Sequence, residues 1–273
     1  MKNWLLNTLR TAVILLSATL LITSCQQSDF DEPLLDGETV MVSFNSSIDN
    51  QALTRAWDGT NVDKLYFELY VDQSRIERKE FNVTDGNIVN FKIELLKNMT
   101  YTAVFWAQNS NCEVYSKDNL SNISIDYSKI SSDFSAISNC DAFHAAFPFT
   151  VDQKTIENGV DVTLTRPFAL IIAGVNDIAS GAATSITVSD VATKFNFNFN
   201  KFSYEASVGA SNTFNFTTDG TTVGKSHKMI GMAYVLPLKD TATTITVTTP
   251  SKESSITLEK LEANKRYNIL SAQ

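Results

Sequence analysis

The chain has 273 residues, 43% hydrophobic and 19% charged, with 22 Lys and Arg against 30 Asp and Glu and only two histidines. A net charge of −8 argues against nucleic acid as a partner and against electrostatic docking on anionic lipid. The hydrophobic content suffices for packed cores and excludes broad disorder beyond the N-terminal region, and the length suits one large or two modest domains.

Lys2 and Arg10 give the chain a positive start, and Thr11–Ile22 follows as an uncharged apolar run. That run is too short for a membrane-spanning helix and has the length of a signal-peptide core. It ends in Leu21-Ile22-Thr23-Ser24-Cys25, a small residue before a cysteine, the pattern cut by lipoprotein signal peptidase. Residues 1–24 therefore read as a lipoprotein signal peptide, and Cys25 as an acylated anchor; several acyl chains hold stably where one binds marginally. Residues 25–38 read as an acidic tether containing Asp29, Asp31, Glu32 and Pro33. Acidic residues so soon after the cysteine resemble the export signal of Bacteroidota lipoproteins carried to the cell surface. The location this implies is the outer membrane, lipid-anchored and facing outward.

From residue 39 onward, period-two alternation dominates. Val40, Val42 and Phe44 share one face of a first strand, with Met41, Ser43 and Asn45 opposite. In Val62–Val71, Leu65, Phe67, Leu69 and Val71 alternate with Tyr66, Glu68 and Tyr70; Val89, Phe91, Ile93 and Leu95 alternate with Asn90, Lys92 and Glu94. Tyr101–Ala107 is apolar on both faces and reads as a central strand buried on two sides. Asn119–Ala146 lacks a clear period and reads as a long loop with a short helix around Ile130–Ile137. Val160, Val162 and Leu164 alternate next, then Phe195, Phe197 and Phe199 with three asparagines, then Phe214 and Phe216 about Asn215. The last strands are Met229–Leu236, Ile245–Thr248, Ser255–Leu258 and Tyr267–Leu270, and Asp58-Gly59, Asp85-Gly86 and Asp219-Gly220 mark turns.

The expectation is an all-β chain of roughly fourteen mostly antiparallel strands, in an N-terminal sandwich domain over 39–165 and a C-terminal one over 166–273. Arg166-Pro167 marks the junction, since proline cannot donate to a central ladder. A weak repeat supports two similar halves: Leu95-x-x-Asn98-x-x-Tyr101 and Leu261-x-x-Asn264-x-x-Tyr267 both read as a strand, a tight turn and a returning strand opened by tyrosine.

Chemistry has little to work with. Neither His144 nor His227 lies in a metal-spaced cluster, so no metal site is expected. The sequence shows no phosphate loop, no nucleophile elbow and no zinc-type cysteine pairing, so no cofactor and no catalysis are expected. Asp141-Ala-Phe-His144 would be half of a triad without a nucleophile. Trp57, Trp106 or the pair Tyr66 and Tyr70 offers the material for a glycan-binding face, although Trp106 sits in the strand that reads as most buried. Cys112 and Cys140 lie in a chain bound for an oxidising compartment, which permits a disulfide; the sequence leaves their pairing open against two buried thiols. Asp240-Thr241-Ala242 resembles the short O-glycosylation acceptor of Bacteroidota secreted proteins, with Thr241 as the modified residue.

Several stretches, taken in order, resemble the fimbrillin-type lipoproteins of the Bacteroidota, the subunits of type V pili and their relatives. They are the cleavage box ending at Cys25, the strand Thr39–Asn45, Leu53-Thr54-Arg55-Ala56 before Asp58-Gly59, the strand Val62–Val71, Tyr101–Gln108, Asp141–Phe147 and Leu164–Ala169. The resemblance implies two transthyretin-like Greek-key β-sandwiches in tandem. It implies processing between Arg55 and Ala56 by an Arg-specific protease. It also implies an exchanged strand carrying Val40, Val42 and Phe44, whose loss opens a groove for a strand of another pilin-like subunit. In one respect the sequence departs from the pattern. Pilin members run past their last sandwich strand into a donor segment, whereas Ser271-Ala272-Gln273 alone follow Tyr267–Leu270 here. The expected role is accordingly fimbria assembly or adhesion as a tip or anchor subunit, and the alternative is a non-polymerising lipoprotein that binds host or bacterial surface glycans or proteins.

Overall fold

The computed structural model of the protein describes residues 37–49, 61–83, 88–218, 220, 222–223 and 227–271. The fold is all-β, as the alternation predicts. A first core forms between two sheets. One is built from β1 (Thr39–Ile48), β4 (Ile88–Leu96) and β8 (Val160–Leu164) in the order β4-β1-β8. The other is built from β2 (Lys64–Val71), β3 (Ser74–Asn82), β5 (Thr100–Gln108) and β7 (Ala142–Thr150) in the order β3-β2-β5-β7. Alternation directs Val42 and Phe44 of β1, Leu65, Phe67 and Leu69 of β2, Ile93 and Leu95 of β4, and Ala103 and Phe105 of β5 into this core.

The opposite face of the second sheet is buried as well. Tyr66, Tyr70, Val104 and Trp106 belong to a second core shared with the C-terminal strands. Double-sided burial explains why Tyr101–Ala107 carries no polar side: a strand covered on both faces has no reason to alternate.

The C-terminal strands are β9 (Ala169–Val175), β10 (Ala183–Asn198), β11 (Ser203–Thr217), β12 (Thr222–Val223), β13 (His227–Pro237), β14 (Thr243–Thr248), β15 (Glu253–Leu258) and β16 (Arg266–Ser271). Their path runs β15-β14-β10-β13-β9-β16. On it, β11 and the short β6 (Asn122–Ser124) pair with β10, and β12 pairs with β13. A bulge between Val188 and Val191, with Asp190 at φ 52°, lets β10 pair first with β14 and then with β13. Two pairings are parallel, β1 with β8 and β9 with β16.

The repeated sequence motif has one structural meaning at both places. Asn98 and Asn264 each take a left-handed turn, at φ 63° and 58°. Tyr101 Oη accepts a hydrogen bond from Leu96 N at 3.0 Å, and Tyr267 Oη accepts one from Glu262 N at 2.9 Å, five residues upstream in each case. Leu95 and Leu261 are both buried.

Four features escape the sequence reading. β9 is a continuous apolar run, buried throughout, so it lacks the alternation of a half-exposed strand. β7 carries Phe143, Ala145, Phe147 and Phe149 toward the first core and Ala142 and Ala146 toward the second, which again hides the period. β3 is a charged strand at a sheet edge, where charge guards against unwanted pairing. A short helix, Gln153–Asn158, is capped by the Asp152 carboxylate, which accepts from Thr155 N at 2.8 Å, and stops at Gly159. In the stretch that lacks a period, a 3-10 turn forms at Tyr127–Lys129 and a helical turn at Phe134–Ser138, close to the expected helix.

Candidate functional site

The seat of β1 is the feature to which the sequence assigns a role. The strand lies in the middle of its sheet. On one side it runs antiparallel to β4, from Thr39 opposite Leu96 to Ser47 opposite Ile88. On the other it runs parallel to β8, from Phe44 opposite Val160 to Ile48 opposite Leu164. Its backbone is therefore paired along nearly all of one edge and, from Phe44 to Ile48, along the other. Side chains reinforce each edge: Asn45 Nδ2 donates to Asp161 Oδ1 at 2.9 Å, and the buried Ser46 Oγ donates to Val89 O at 2.7 Å.

Of the three residues expected to plug the core, Val42 and Phe44 are fully buried and Val40 partly so. Phe44 sits among four rings. Its centroid lies 5.2 Å from Phe91 in a stacked contact, 5.4 Å from Phe67, 5.5 Å from Phe149 edge-on and 6.0 Å from Phe105. Burying a side chain of this size contributes about 1.5–3 kcal/mol before ring geometry is counted. The outer face is solvated, with Met41 52% exposed. Gly159, at φ 75°, brings the chain into β8 so close that an added Cβ would stand 2.8 Å from Ser43 O. Only glycine permits both the turn and the approach.

Cys25, Arg55 and Ala56 lie outside the described residues, as do Trp57 and the turn Asp58-Gly59 that follows. Cys112 and Cys140 are joined in a disulfide, with Cα atoms 5.2 Å apart. It closes the long connection between β5 and β7 over the second core, where Tyr115 Oη also donates to Cys140 O at 2.5 Å. Thr241 is half-buried in the turn after β13, and its hydroxyl donates to Lys239 O at 3.1 Å.

Of the aromatic residues considered for a glycan face, the three that are described do not form one. Tyr66, Tyr70 and Trp106 are all at most 4% exposed, and the Trp106 indole donates to Gln108 Oε1 at 2.7 Å. The Asp141 carboxylate is clamped by Arg166, which donates to it through Nε at 2.5 Å and through Nη2. It does not orient His144 as a triad would require.

One charged cluster escapes the sequence reading. Glu68 on β2 is fully buried and accepts from Arg75 Nη1 at 2.7 Å, from Arg78 Nη1, from Leu120 N at 2.9 Å and from Tyr70 Oη at 2.5 Å. Arg75 and Arg78 in turn donate to Asp118 O, so the cluster bolts the β2–β3 hairpin to the loop after β5. Burial and the bond to Glu68 push the Tyr70 phenol well above its ordinary range. Every oxygen of Glu68 is committed, which suits a structural pin. The sequence offers no signal for it, because a glutamate on the strand face opposite Leu65, Phe67 and Leu69 reads as solvated. Among the described residues no group of three His, Cys, Asp or Glu is placed to hold a metal, and no helix is long and apolar enough to cross a membrane.

The described residues thus form an all-β fold in which β1 is the central strand of its sheet. The chain belongs to a family of unknown function, DUF6562, whose model matches residues 35–265. No curated protein matches it. Among solved structures it is similar to a candidate adhesin from Bacteroides ovatus, at 9% identity and a TM-score of 0.55, covering 86% of this chain and 88% of that one. It is also similar to a candidate polysaccharide-binding protein (DUF1812) from Bacteroides thetaiotaomicron VPI-5482, at 9% identity and a TM-score of 0.54, covering 84% and 90%. The fimbrial anchor protein Mfa2 from Porphyromonas gingivalis matches at 11% identity and a TM-score of 0.48, covering 84% and 90%. At identities this low, the two matches with TM-scores above 0.5 establish a shared fold alone.

Proposed function

We propose that this protein is a cell-surface fimbrillin-like lipoprotein, acting without catalysis in fimbria assembly or adhesion. It is held at the outer membrane through acylated Cys25 and consists of two transthyretin-like Greek-key sandwiches, 39–165 and 166–273. Its partners are other pilin-like subunits or ligands on host and bacterial surfaces. The observation that carries the reading is the position of β1 between β4 and β8, with Val42 and Phe44 buried in the first core and strands paired to it on both sides. A strand so placed, followed by an arginine seven residues after its end, is one that cleavage between Arg55 and Ala56 would leave as a separate plug. Another chain's strand with the same alternation would fit the vacated slot. The shared fold with a candidate adhesin adds support.

The test is limited digestion of the folded protein with an Arg-specific protease, followed by N-terminal sequencing and native gels. A new terminus at Ala56 is expected, and adding an excess of a synthetic peptide with the alternation of β1 should displace the cleaved segment and leave the peptide bound. Cutting at Ala56 with no uptake of the peptide at any concentration would overturn strand exchange.

A further inference from the structure

β16 ends the path of the C-terminal strands and pairs with β9 alone, in parallel, from Arg266 opposite Leu170 to Ser271 opposite Val175. Lys265 O accepts from Leu170 N at 2.9 Å, which fixes the phase of the ladder. Alternate residues of a strand bond to the same neighbour, so Lys265, Tyr267 and Ile269 turn their backbone groups to β9. Arg266, Asn268 and Leu270 turn theirs to the outer edge, where among the described residues no strand meets them.

β3 and β16 are both edge strands but differ in composition. β3 carries Arg75, Glu77, Arg78, Lys79 and Glu80, the usual guard of an edge. β16, Arg-Tyr-Asn-Ile-Leu-Ser, has Arg266 as its one charge and neither a proline nor a bulge. Tyr267 and Ile269 pack against the second core. On the opposite face Arg266 Nε donates to Asn268 Oδ1 at 2.9 Å, and Leu270 is 44% exposed.

We infer that this edge pairs with the same edge of a second copy, joining two C-terminal sheets into one. A two-fold contact sets the edge strands antiparallel. The register centred on Asn268 engages all the outward-turned residues: Asn268 lies opposite Asn268 and Arg266 opposite Leu270, each pair exchanging both of its bonds. The side chains suit the same register. Each Arg266 stem covers the other copy's exposed Leu270. Tyr267 falls opposite Ile269, an aromatic against a β-branched residue, which is a favoured cross-strand pair. The two Arg266 charges stand about 13 Å apart along the ladder, beyond the screening length in physiological salt. The second copy supplies this complement by symmetry. The inference is independent of strand exchange at β1.

The test uses the full chain in dodecyl maltoside. Asn268→Cys places two thiols across the axis, where the Cα atoms of a hydrogen-bonded pair lie about 5.5 Å apart, within reach of a disulfide. Mild oxidation should give a covalent dimer from Asn268→Cys, and none from the unaltered chain or from Lys201→Cys on the exposed turn between β10 and β11. In sedimentation the unaltered chain should pass from monomer to dimer with concentration. Asn268→Pro removes an outward N–H and no bond to β9, so Tm should hold while the dimer dissociation constant rises at least about tenfold. Leu270→Lys sets a lysine opposite Arg266 and should weaken the dimer similarly without touching the backbone. Amide exchange over Arg266–Leu270 should slow as concentration rises. A monomer at every concentration, equal cross-linking of Asn268→Cys and Lys201→Cys, or an unaltered dimer in Leu270→Lys overturns the proposal. So does amide protection that is independent of concentration, which would put another part of the same chain on the edge.

Discussion

Replacing Phe44 with alanine tests whether β1 is held by its side chains as firmly as the geometry implies. The ring is fully buried and touches Phe67, Phe91, Phe105 and Phe149. Truncating a buried phenylalanine costs about 3–5 kcal/mol, and each well-placed aromatic pair contributes about 0.5–1.5 kcal/mol beyond its buried area. Four such contacts are not additive, but they place Phe44→Ala in the upper part of that range, about 4–5 kcal/mol. In urea unfolding with a slope of about 3 kcal/mol/M, the midpoint should fall by about 1.5 M. Met41→Ala provides the control, since Met41 belongs to the same strand but faces water, and its effect should stay within about 0.5 kcal/mol. A loss below about 1 kcal/mol for Phe44→Ala, or equal losses for the two variants, would show that the ring cluster does not seat the strand.

Glu68→Ala should cost about 2–3 kcal/mol in the same assay, below the usual 3–5 for breaking a buried pair because Arg75 and Arg78 are partly exposed and can rehydrate. A change under 0.5 kcal/mol would mean that the cluster does not fasten the hairpin. Reducing the Cys112–Cys140 bridge, or replacing both cysteines by serine, should lower stability by about 3.5 kcal/mol from loop entropy, measured as a drop in Tm; an unchanged Tm would contradict this. Tyr101→Phe and Tyr267→Phe should each lose about 1 kcal/mol by leaving a backbone N–H unpaired, and unequal effects would argue against equivalent turns. For His144, the folded pKa of about 4 lies below the unfolded value of about 6.5, so the unfolded chain takes up the proton first. Stability should fall as pH drops from 6.5 toward 4, by at most about 3 kcal/mol because the residue keeps some contact with solvent, and His144→Phe should abolish this part of the pH dependence; parallel pH curves would refute it.

What the sequence discloses depends on which face of a strand meets water. β1, β4 and β8 each present one solvated face, so Val42, Ile93 and Val162 stand out by alternation and their strands are legible. β9 and β7 are covered on both sides, and their patterns carry no phase. The motif Leu-x-x-Asn-x-x-Tyr was readable because each residue has a separate duty: leucine packs, asparagine tolerates positive φ, and the tyrosine hydroxyl reaches back to the chain. Glu68 and His144 were not readable as special, since burial and isolation of a polar group arise from elements that meet far along the chain, at Leu120 for one and at Phe195 and Tyr204 for the other. β1 thus shows in the local sequence, whereas the surroundings of Glu68 and His144 exist only once distant segments are in place.

On the strand-exchange reading, the central position of β1 also determines how exchange proceeds. Withdrawing it would uncover Val42, Phe44 and Ile48, at about 1.5–3 kcal/mol each, and would strip β4 and β8 of backbone partners along a buried slot. Side chains alone then account for about as much free energy as a whole domain usually has in reserve. Cleavage by itself therefore leaves the plug seated, and release waits for a strand that takes over the bonds as β1 gives them up. That strand must run antiparallel to β4 and parallel to β8. It must carry an aromatic or large aliphatic residue opposite Phe91 and a small one where Ser46 reaches Val89 O. The slot selects its occupant by register and by one large pocket, so a polar or unalternating strand would leave the ring cluster open to water.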